Sequence, residues 1–367
     1  MMKHCHIAIA IYLLFSLSSF AQEYTITHDS LTRSYLLHLP AGYSADSLYP
    51  LVINMHGYTS NAYEQKIYTH FDDVADNYRF IVVYPNGIDE AWNVTSTTGV
   101  DDVGFISDLI DSLDAAYSID LERVYATGMS MGGFMSYRLA CELSNRIAAI
   151  APVAGLLAFF PCTPPKPVPV LHIHGTADPV VPYAGVDASV MHWVSNNGCP
   201  TEPVISNLPD INQLDNSTVT SYYYGSCNGS TEVILYSVIG GEHTWPGSNI
   251  YIGVTNHDID ASVEIWKFFR KFDIHGSTGV NEAQLINDIQ VDVYPNPARN
   301  YMTVALDDDL HGKYDFRLTD LAGNTIREIN DIEEPRFAVN CENLPGGMYI
   351  AVIQYNDHSF YKKVIIR

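Results

Sequence analysis

The chain has 367 residues, and its 42 Asp and Glu outnumber 19 Lys and Arg, for a formal net charge of −23. That excess of acid excludes the basic footprint that nucleic-acid binding and docking on anionic membranes require. Hydrophobic residues make up 47% and charged residues 17%, which excludes a disordered chain and, at roughly 100–200 residues per domain, predicts about two folded domains.

Residues 1–21 read as a secretory signal peptide. Lys3 gives the positive start, residues 7–15 the apolar run, and Ser19 and Ala21 the small residues at the cleavage site. The run is shorter than the roughly 20 residues that span a bilayer. No other segment is apolar enough, so no transmembrane segment is expected.

Over 22–275, apolar runs alternate with amphipathic stretches. Strands are predicted at 51–55, 80–84, 123–127, 147–153, 168–174 and 233–239. Helices are predicted at 63–78, 101–117, 131–143, 185–196 and 258–272. Alternation of this kind predicts an α/β domain with a mostly parallel sheet flanked by helices. Residues 276–286 then read as a short flexible linker, since His275-Gly-Ser-Thr-Gly279 breaks the pattern. Over 287–367 the helical period disappears. Seven short strands are predicted there, at 291–294, 301–305, 314–319, 325–329, 337–339, 347–354 and 359–366. They predict a small β-sandwich.

Five Cys follow the signal segment: Cys141, Cys162, Cys199, Cys227 and Cys341. Export permits disulfides, and an odd count leaves one thiol over. The local pairs open to them are Cys141 with Cys162 and Cys199 with Cys227. No Cys spacing fits a zinc site.

Gly128-Met129-Ser130-Met131-Gly132 is a G-x-S-x-G pentapeptide. The glycines let a strand and a helix meet closely around a strained, exposed Ser. By itself the pentapeptide could be a Gly/Ser turn. A predicted strand before it and a predicted helix after it supply the context of a nucleophile elbow. A Ser hydroxyl needs a base, and the base an orienting acid. In this type of fold the chain order is Ser, acid, His. Asp178 and His243 each follow a predicted strand and complete that order with Ser130. The oxyanion of the tetrahedral intermediate needs amide donors. Met131 follows the nucleophile, and Tyr58 lies in the loop after the strand at 51–55. Both are assigned through their backbone N–H. His56 is read as bracing that loop, and His172 and His174 as core histidines. His257 is read as solvated. Asp101, Asp102 and Asp108 suit the first turns of a helix.

The segments INMHGYTSNA, VDDVGFISDLID, RVYATGMSMGGFMSYRLACE, VLHIHGTADPVVPY and GGEHTWPG resemble, in order, the secreted polyhydroxybutyrate depolymerase and feruloyl esterase family of α/β-hydrolases. This family overlaps carbohydrate esterase family one. The resemblance implies the triad Ser130, Asp178, His243, the oxyanion donors Tyr58 and Met131, and the bridges Cys141–Cys162 and Cys199–Cys227. Two positions depart from the family pattern: Tyr58, where Cys or a small residue is frequent, and Glu242, where Gly usually precedes the His. The tail segments VYPNPARNYMTV, LPGGMYIAVI and YKKVIIR resemble the C-terminal sorting domain of type IX (Por) secretion. That resemblance implies secretion machinery as a partner and delivery through the periplasm to the cell surface or medium. A sugar-binding sandwich is the alternative for the tail.

These readings converge on a secreted serine carboxylic-ester hydrolase that needs no metal and no organic cofactor. Its expected substrate is an ester linked to polysaccharide, with feruloyl or acetyl groups on xylan first and poly(3-hydroxyalkanoate) second. A non-catalytic surface-binding protein is the remote alternative. Trp245, Trp92 and Tyr183 are expected to line the acyl site, with plain core packing the alternative for the last two.

Overall fold

Runs such as Tyr49–Met55 carry apolar side chains on both faces, so they form strands only where helices cover both sides. The computed structural model describes residues 22–97, 99–278, 291–306, 313–355 and 358–367. The expected signal peptide, and the expected linker from residue 279, lie outside them.

The main sheet comprises β1 (Glu23–His28), β2 (Leu31–His38), β3 (Tyr49–Met55), β4 (Ile81–Pro85), β5 (Ile119–Met129), β6 (Ala149–Val153), β7 (Val170–Gly175), β8 (Val204–Asn207), β9 (Thr218–Tyr224) and β10 (Val233–Ile239). Its order is β1-β2-β4-β3-β5-β6-β7-β10-β9-β8. The six strands from β4 to β10 in that order run parallel. Antiparallel pairs add β1 and β2 at one edge and β9 and β8 at the other. The edge pairs were not anticipated, because they are partly exposed and carry little of the apolar signal of the interior. In β8 every residue is exposed.

Helices α1 (Ala62–Thr69), α2 (Phe71–Tyr78), α3 (Asp102–Ala116), α4 (Met131–Glu142), α5 (Val186–Asn196) and α6 (Ala261–Phe269) cover the sheet. Alternate residues of β3 serve the two faces: Leu51, Ile53 and Met55 join Phe105, Leu109 and Leu139, whereas Val52 joins Phe71, Val74 and Trp266. The single helix expected at 63–78 is two helices. His70 sits between them at φ 50°. Thr69 and Gln65 at the end of α1 hydrogen-bond to buried Asn54 of β3, so the chain must turn before Phe71 and Val74 can face the core. The helix expected from 258 begins at Ala261. Asp260 caps it by accepting from the amides of Ser262 and Val263, while Asp258 accepts from Ile211 and Asn212.

Cys141–Cys162 and Cys199–Cys227 are disulfide-bonded. Cys341 is the free thiol among the described residues and is buried. Two short strands, β11 (Phe272–Asp273) and β12 (Gly276–Ser277), pair with each other. Thr278 then bonds back to Lys271. The described start of the expected linker is therefore folded onto the first domain.

The tail holds β13 (Asp292–Tyr294), β14 (Tyr301–Ala305) and β17 (Arg336–Asn340) in one sheet. The other sheet holds β15 (Tyr314–Thr319), β16 (Thr325–Ile332), β18 (Gly347–Tyr355) and β19 (His358–Ile366). Met302, Val304, Phe316, Leu318, Ile353 and Val364 fill the space between them. This sandwich rests on the α2/α6 side of the first domain. Arg336 forms a buried ion pair with Glu264 of α6. Tyr78 donates to Asp292 over 2.7 Å, and Lys362 donates to Asn77 over 2.9 Å.

Candidate active site

After β3 the chain crosses to β4 on one side and returns as β5 on the other. The loops leaving β3 and β5 therefore diverge and open a crevice at the carboxyl ends of the strands, where open α/β sheets place their sites. The candidate residues come from the ends of β3, β5, β7 and β10.

Ser130 joins β5 to α4 at φ 53° and ψ −118°, a strained conformation for any residue with a side chain. The turn closes only with glycine around it. A Cβ on Gly128 would stand 2.4 Å from the Met55 carbonyl oxygen, and one on Gly132 only 2.1 Å from it. The Ser130 amide donates to Val153 of β6 over 2.9 Å.

The loop after β3 reaches this serine. A Cβ on Gly57 would lie 3.4 Å from Ser130 Cβ, so the absence of a side chain keeps that space open beside the nucleophile. His56 holds the loop from inside. Its Nδ1 donates to the Gly57 carbonyl over 2.7 Å, and its Nε2 accepts from the Gly87 amide over 3.0 Å. Burial lowers the His56 pKa, in keeping with a neutral brace. The amides of Tyr58 and Met131 have no hydrogen-bond acceptor among the described residues. Such amides can serve a developing oxyanion.

Asp178 follows β7, and His243 follows the neighbouring strand β10. Asp178 Oδ2 accepts from His243 Nδ1 over 2.7 Å. Its other oxygen accepts from the Val180 and Val181 amides, each over 2.8 Å. The carboxylate side chain is fully buried. Burial by itself would raise its pKa, but the donors from His174, His243 and the two amides hold it well below the ordinary carboxylate range. The proton on His243 Nδ1 leaves Nε2 as the basic nitrogen. Glu242 clamps this loop: its backbone and side chain both bond to Val254.

The residues expected to line the acyl site divide. Trp92 is 2% exposed, and its indole donates to the His56 carbonyl. Trp245 is 1% exposed; its indole donates to Ser262, and its ring packs on Phe71. Both indoles lie in the core and support the site loops from beneath. Tyr183 is half-buried, donates to Ser237 and stands edge-on to His174. His257, read as solvated, is buried against Tyr251. Asp102 forms a buried ion pair with Arg33.

An unanticipated cleft of about 340 Å³ adjoins the site, lined by Ser60, Tyr63, Ile67, Tyr68, Ile250 and Ile252 among others. Ser60 bonds to the Gly57 carbonyl, and Tyr68 accepts from the amide of Trp245. One wall thus belongs to the oxyanion loop and the other to the His243 loop. Tyr63 and Ile67 lie one helical turn apart on α1 and are 58% and 40% exposed. That outward apolar pair was the available sequence signal.

Residues 33–208 match the family described as Esterase PHB depolymerase, and residues 292–367 match the Secretion system C-terminal sorting domain. Each match covers less than half of the chain, and the second indicates export. Among curated relatives, it is 29% identical over 66% of its length to a bifunctional acetylxylan esterase/xylanase of Neocallimastix patriciarum. It is 32% identical over 58% of its length to feruloyl esterase B of Piromyces equi. The chain spans 34% and 42% of those two relatives. Among solved structures, an acetyl xylan esterase from Aspergillus awamori aligns over 61% of this chain and 94% of its own, at 16% identity and a TM-score of 0.48. No helix among the described residues is long and apolar enough to cross a membrane.

Proposed function

We propose that this chain is a secreted serine carboxylic-ester hydrolase that releases feruloyl or acetyl groups from plant cell-wall xylan. The observation that carries the reading is the Asp178–His243 hydrogen bond, at 2.7 Å, after strands that end on the same edge of the sheet as the Ser130 elbow. In this reading Ser130 Oγ attacks the ester carbonyl as His243 Nε2 takes its proton. The amides of Tyr58 and Met131 hold the oxyanion. His243 then returns the proton to the leaving alkoxide, and the acyl group remains on Ser130. Water activated by the same imidazole releases the acid. Asp178 keeps the imidazole in its tautomer and stabilises its charged form.

The names of the relatives support xylan esters as the substrate class. The cleft of Tyr63, Tyr68 and Ile252 supports an acyl group or leaving group with a neutral apolar body, because its described lining carries Glu64 and no Lys or Arg. A second reading, polyester depolymerisation, draws on the matched family's description and on the openness of the same cleft. Product assays on methyl ferulate, acetylated xylan and poly(3-hydroxybutyrate), run side by side with Ser130→Ala, test the proposal. Release from either of the first two, lost in Ser130→Ala, supports it. Turnover of the polyester alone selects the second reading. Activity that survives Ser130→Ala overturns the mechanism.

A further inference from the structure

Behind the Asp178–His243 pair runs a buried line of polar groups that the mechanism above does not use. Tyr137 Oη of α4 lies 2.6 Å from His172 Nδ1. His172 Nε2 lies 3.1 Å from His174 Nδ1. His174 Nε2 lies 2.8 Å from the Val181 carbonyl oxygen and 3.3 Å from Asp178 Oδ2. The two imidazoles, two residues apart on β7, lie parallel with an interplanar angle of 3°. Both histidines and Tyr137 are at most 1% exposed.

One group in this line fixes the first hydrogen, and a neutral His174 then fixes the rest. The Val181 carbonyl can only accept, so His174 Nε2 carries a hydrogen. If His174 is neutral, its Nδ1 is an acceptor and must receive the hydrogen of His172 Nε2. His172 Nδ1 is then an acceptor in turn and receives the Tyr137 hydroxyl. Burial lowers the His172 pKa well below the ordinary range. The same burial raises the Tyr137 pKa, so the phenol keeps its proton and donates it. The groups that face His174 are His172, Asp178, the edge of Tyr183 and, across Asp178, His243.

We propose that His174 is a positioning residue for the triad acid, an uncharged second imidazole on Asp178 held as the Nε2–H tautomer by His172 and Tyr137. The absence of charge is the point of the arrangement. A cation at His174 would neutralise Asp178 and repel the imidazolium that forms on His243 as Ser130 is deprotonated. A neutral N–H shared between the Val181 carbonyl at 2.8 Å and the carboxylate at 3.3 Å leaves the full charge of Asp178 for His243. Without any donor at 174, Asp178 would be less well solvated and freer to turn. It would then bind the His243 proton more tightly in the resting enzyme while aligning it less well.

The inference rests on the proposed triad, and its test has an arm that does not use ester turnover. In the full-length wild-type protein, long-range ¹H–¹⁵N correlations of ¹⁵N-labelled histidine should show His172 and His174 as neutral Nε2–H tautomers between about pH 7 and about pH 8. An Nδ1–H tautomer, or a protonated ring at either residue in that range, overturns the proposal. The kinetic arm uses His174→Phe, which keeps the ring and removes the donor, and His174→Gln, which returns a neutral donor. His174→Phe should lower kcat on a soluble ester by about tenfold or more with KM nearly unchanged, and should move the acid limb of kcat/KM upward. His174→Gln should recover most of both effects. A folded His174→Phe with wild-type kcat and an unmoved acid limb overturns the proposal. A merely structural role would lower the melting temperature without moving that limb. If His174→Phe does not fold, the tautomer measurement decides. If the wild-type protein turns over no ester, the proposed function fails, while the tautomer result still judges the geometry.

Discussion

Arg336→Met tests whether the tail sandwich stays docked on the first domain. Arg336 and Glu264 pair across that interface with side-chain exposures of 3% and 4%. Removing one partner of a buried pair costs about 3–5 kcal/mol, because the other charge is left uncompensated. Here the cost is reduced, since Lys267 Nζ lies 3.8 Å from Glu264 and Tyr236 donates to it over 3.3 Å. About 2–3 kcal/mol remains, which at roughly 1.4 °C per kcal/mol for a protein of this size is a fall in Tm of about 3–4 °C. Denaturant melts of the wild type, Arg336→Met, Glu264→Gln and the double variant give the coupling energy directly. The double variant should recover part of the loss, because Glu264 is no longer left charged, although Lys267 then keeps only the Leu306 carbonyl. If Arg336→Met stays within about 0.5 kcal/mol of wild type, both groups are hydrated in solution and the docked arrangement is refuted.

Ser130→Ala should lose several orders of magnitude in ester kcat with an unchanged melting curve, and a residual rate above about a tenth of wild type would refute the triad. Non-reduced peptide mapping should link Cys141 to Cys162 and Cys199 to Cys227. Cys341, 1% exposed in the tail core, should react with an alkylating reagent only on unfolding. Truncation after Thr278 should leave kcat/KM on a soluble ester within about threefold, because the candidate site residues all sit on loops of the first domain, yet should lower Tm by exposing Glu264 and Tyr78. The carboxyl of Asp260, at the head of α6, is pushed up to about 7, first by burial and also by the charges of Asp292 and Glu264, against the Val263 and Ser262 amides. The folded state therefore holds a proton that the unfolded state has released, so this group makes stability fall as pH rises from about 4 to about 7. Asp260→Asn, which keeps the cap, should flatten that slope in melts taken across the same range.

How much was legible depended on how local the cause was. The Ser130 elbow is specified by glycines within two residues of it, and a sequence shows such a turn directly. The loops carrying Asp178 and His243 follow strong apolar runs, so their places at strand ends could be read as well. The tail strands were legible for the same reason: alternation and turn residues mark each one. Trp92 and Trp245 were not legible. A sequence shows that an indole stands near the catalytic loops, but which way it faces depends on whether an acceptor waits inside. The His56 carbonyl and the Ser262 hydroxyl wait there, and both come from distant segments. The break at His70 is similar, because it answers to Asn54 on another element.

His172 and His174 mark the boundary between the two cases. Their spacing on an apolar strand rightly indicates burial, and a buried histidine is ordinarily a satisfied core residue. What the spacing cannot carry is the direction of the hydrogen bonds. That direction comes from three separate sources: a tyrosine on α4, a carbonyl in the loop after β7, and the carboxylate that the same loop presents to His243. The carbonyl alone sets the hydrogen on His174 Nε2, the carboxylate is a second acceptor at that nitrogen, and the tyrosine hydroxyl, which can donate or accept, follows. With all three present, the line has one uncharged arrangement that satisfies every nitrogen. The same burial that makes the pair look structural is what forces it to act on Asp178 as a dipole rather than as a charge.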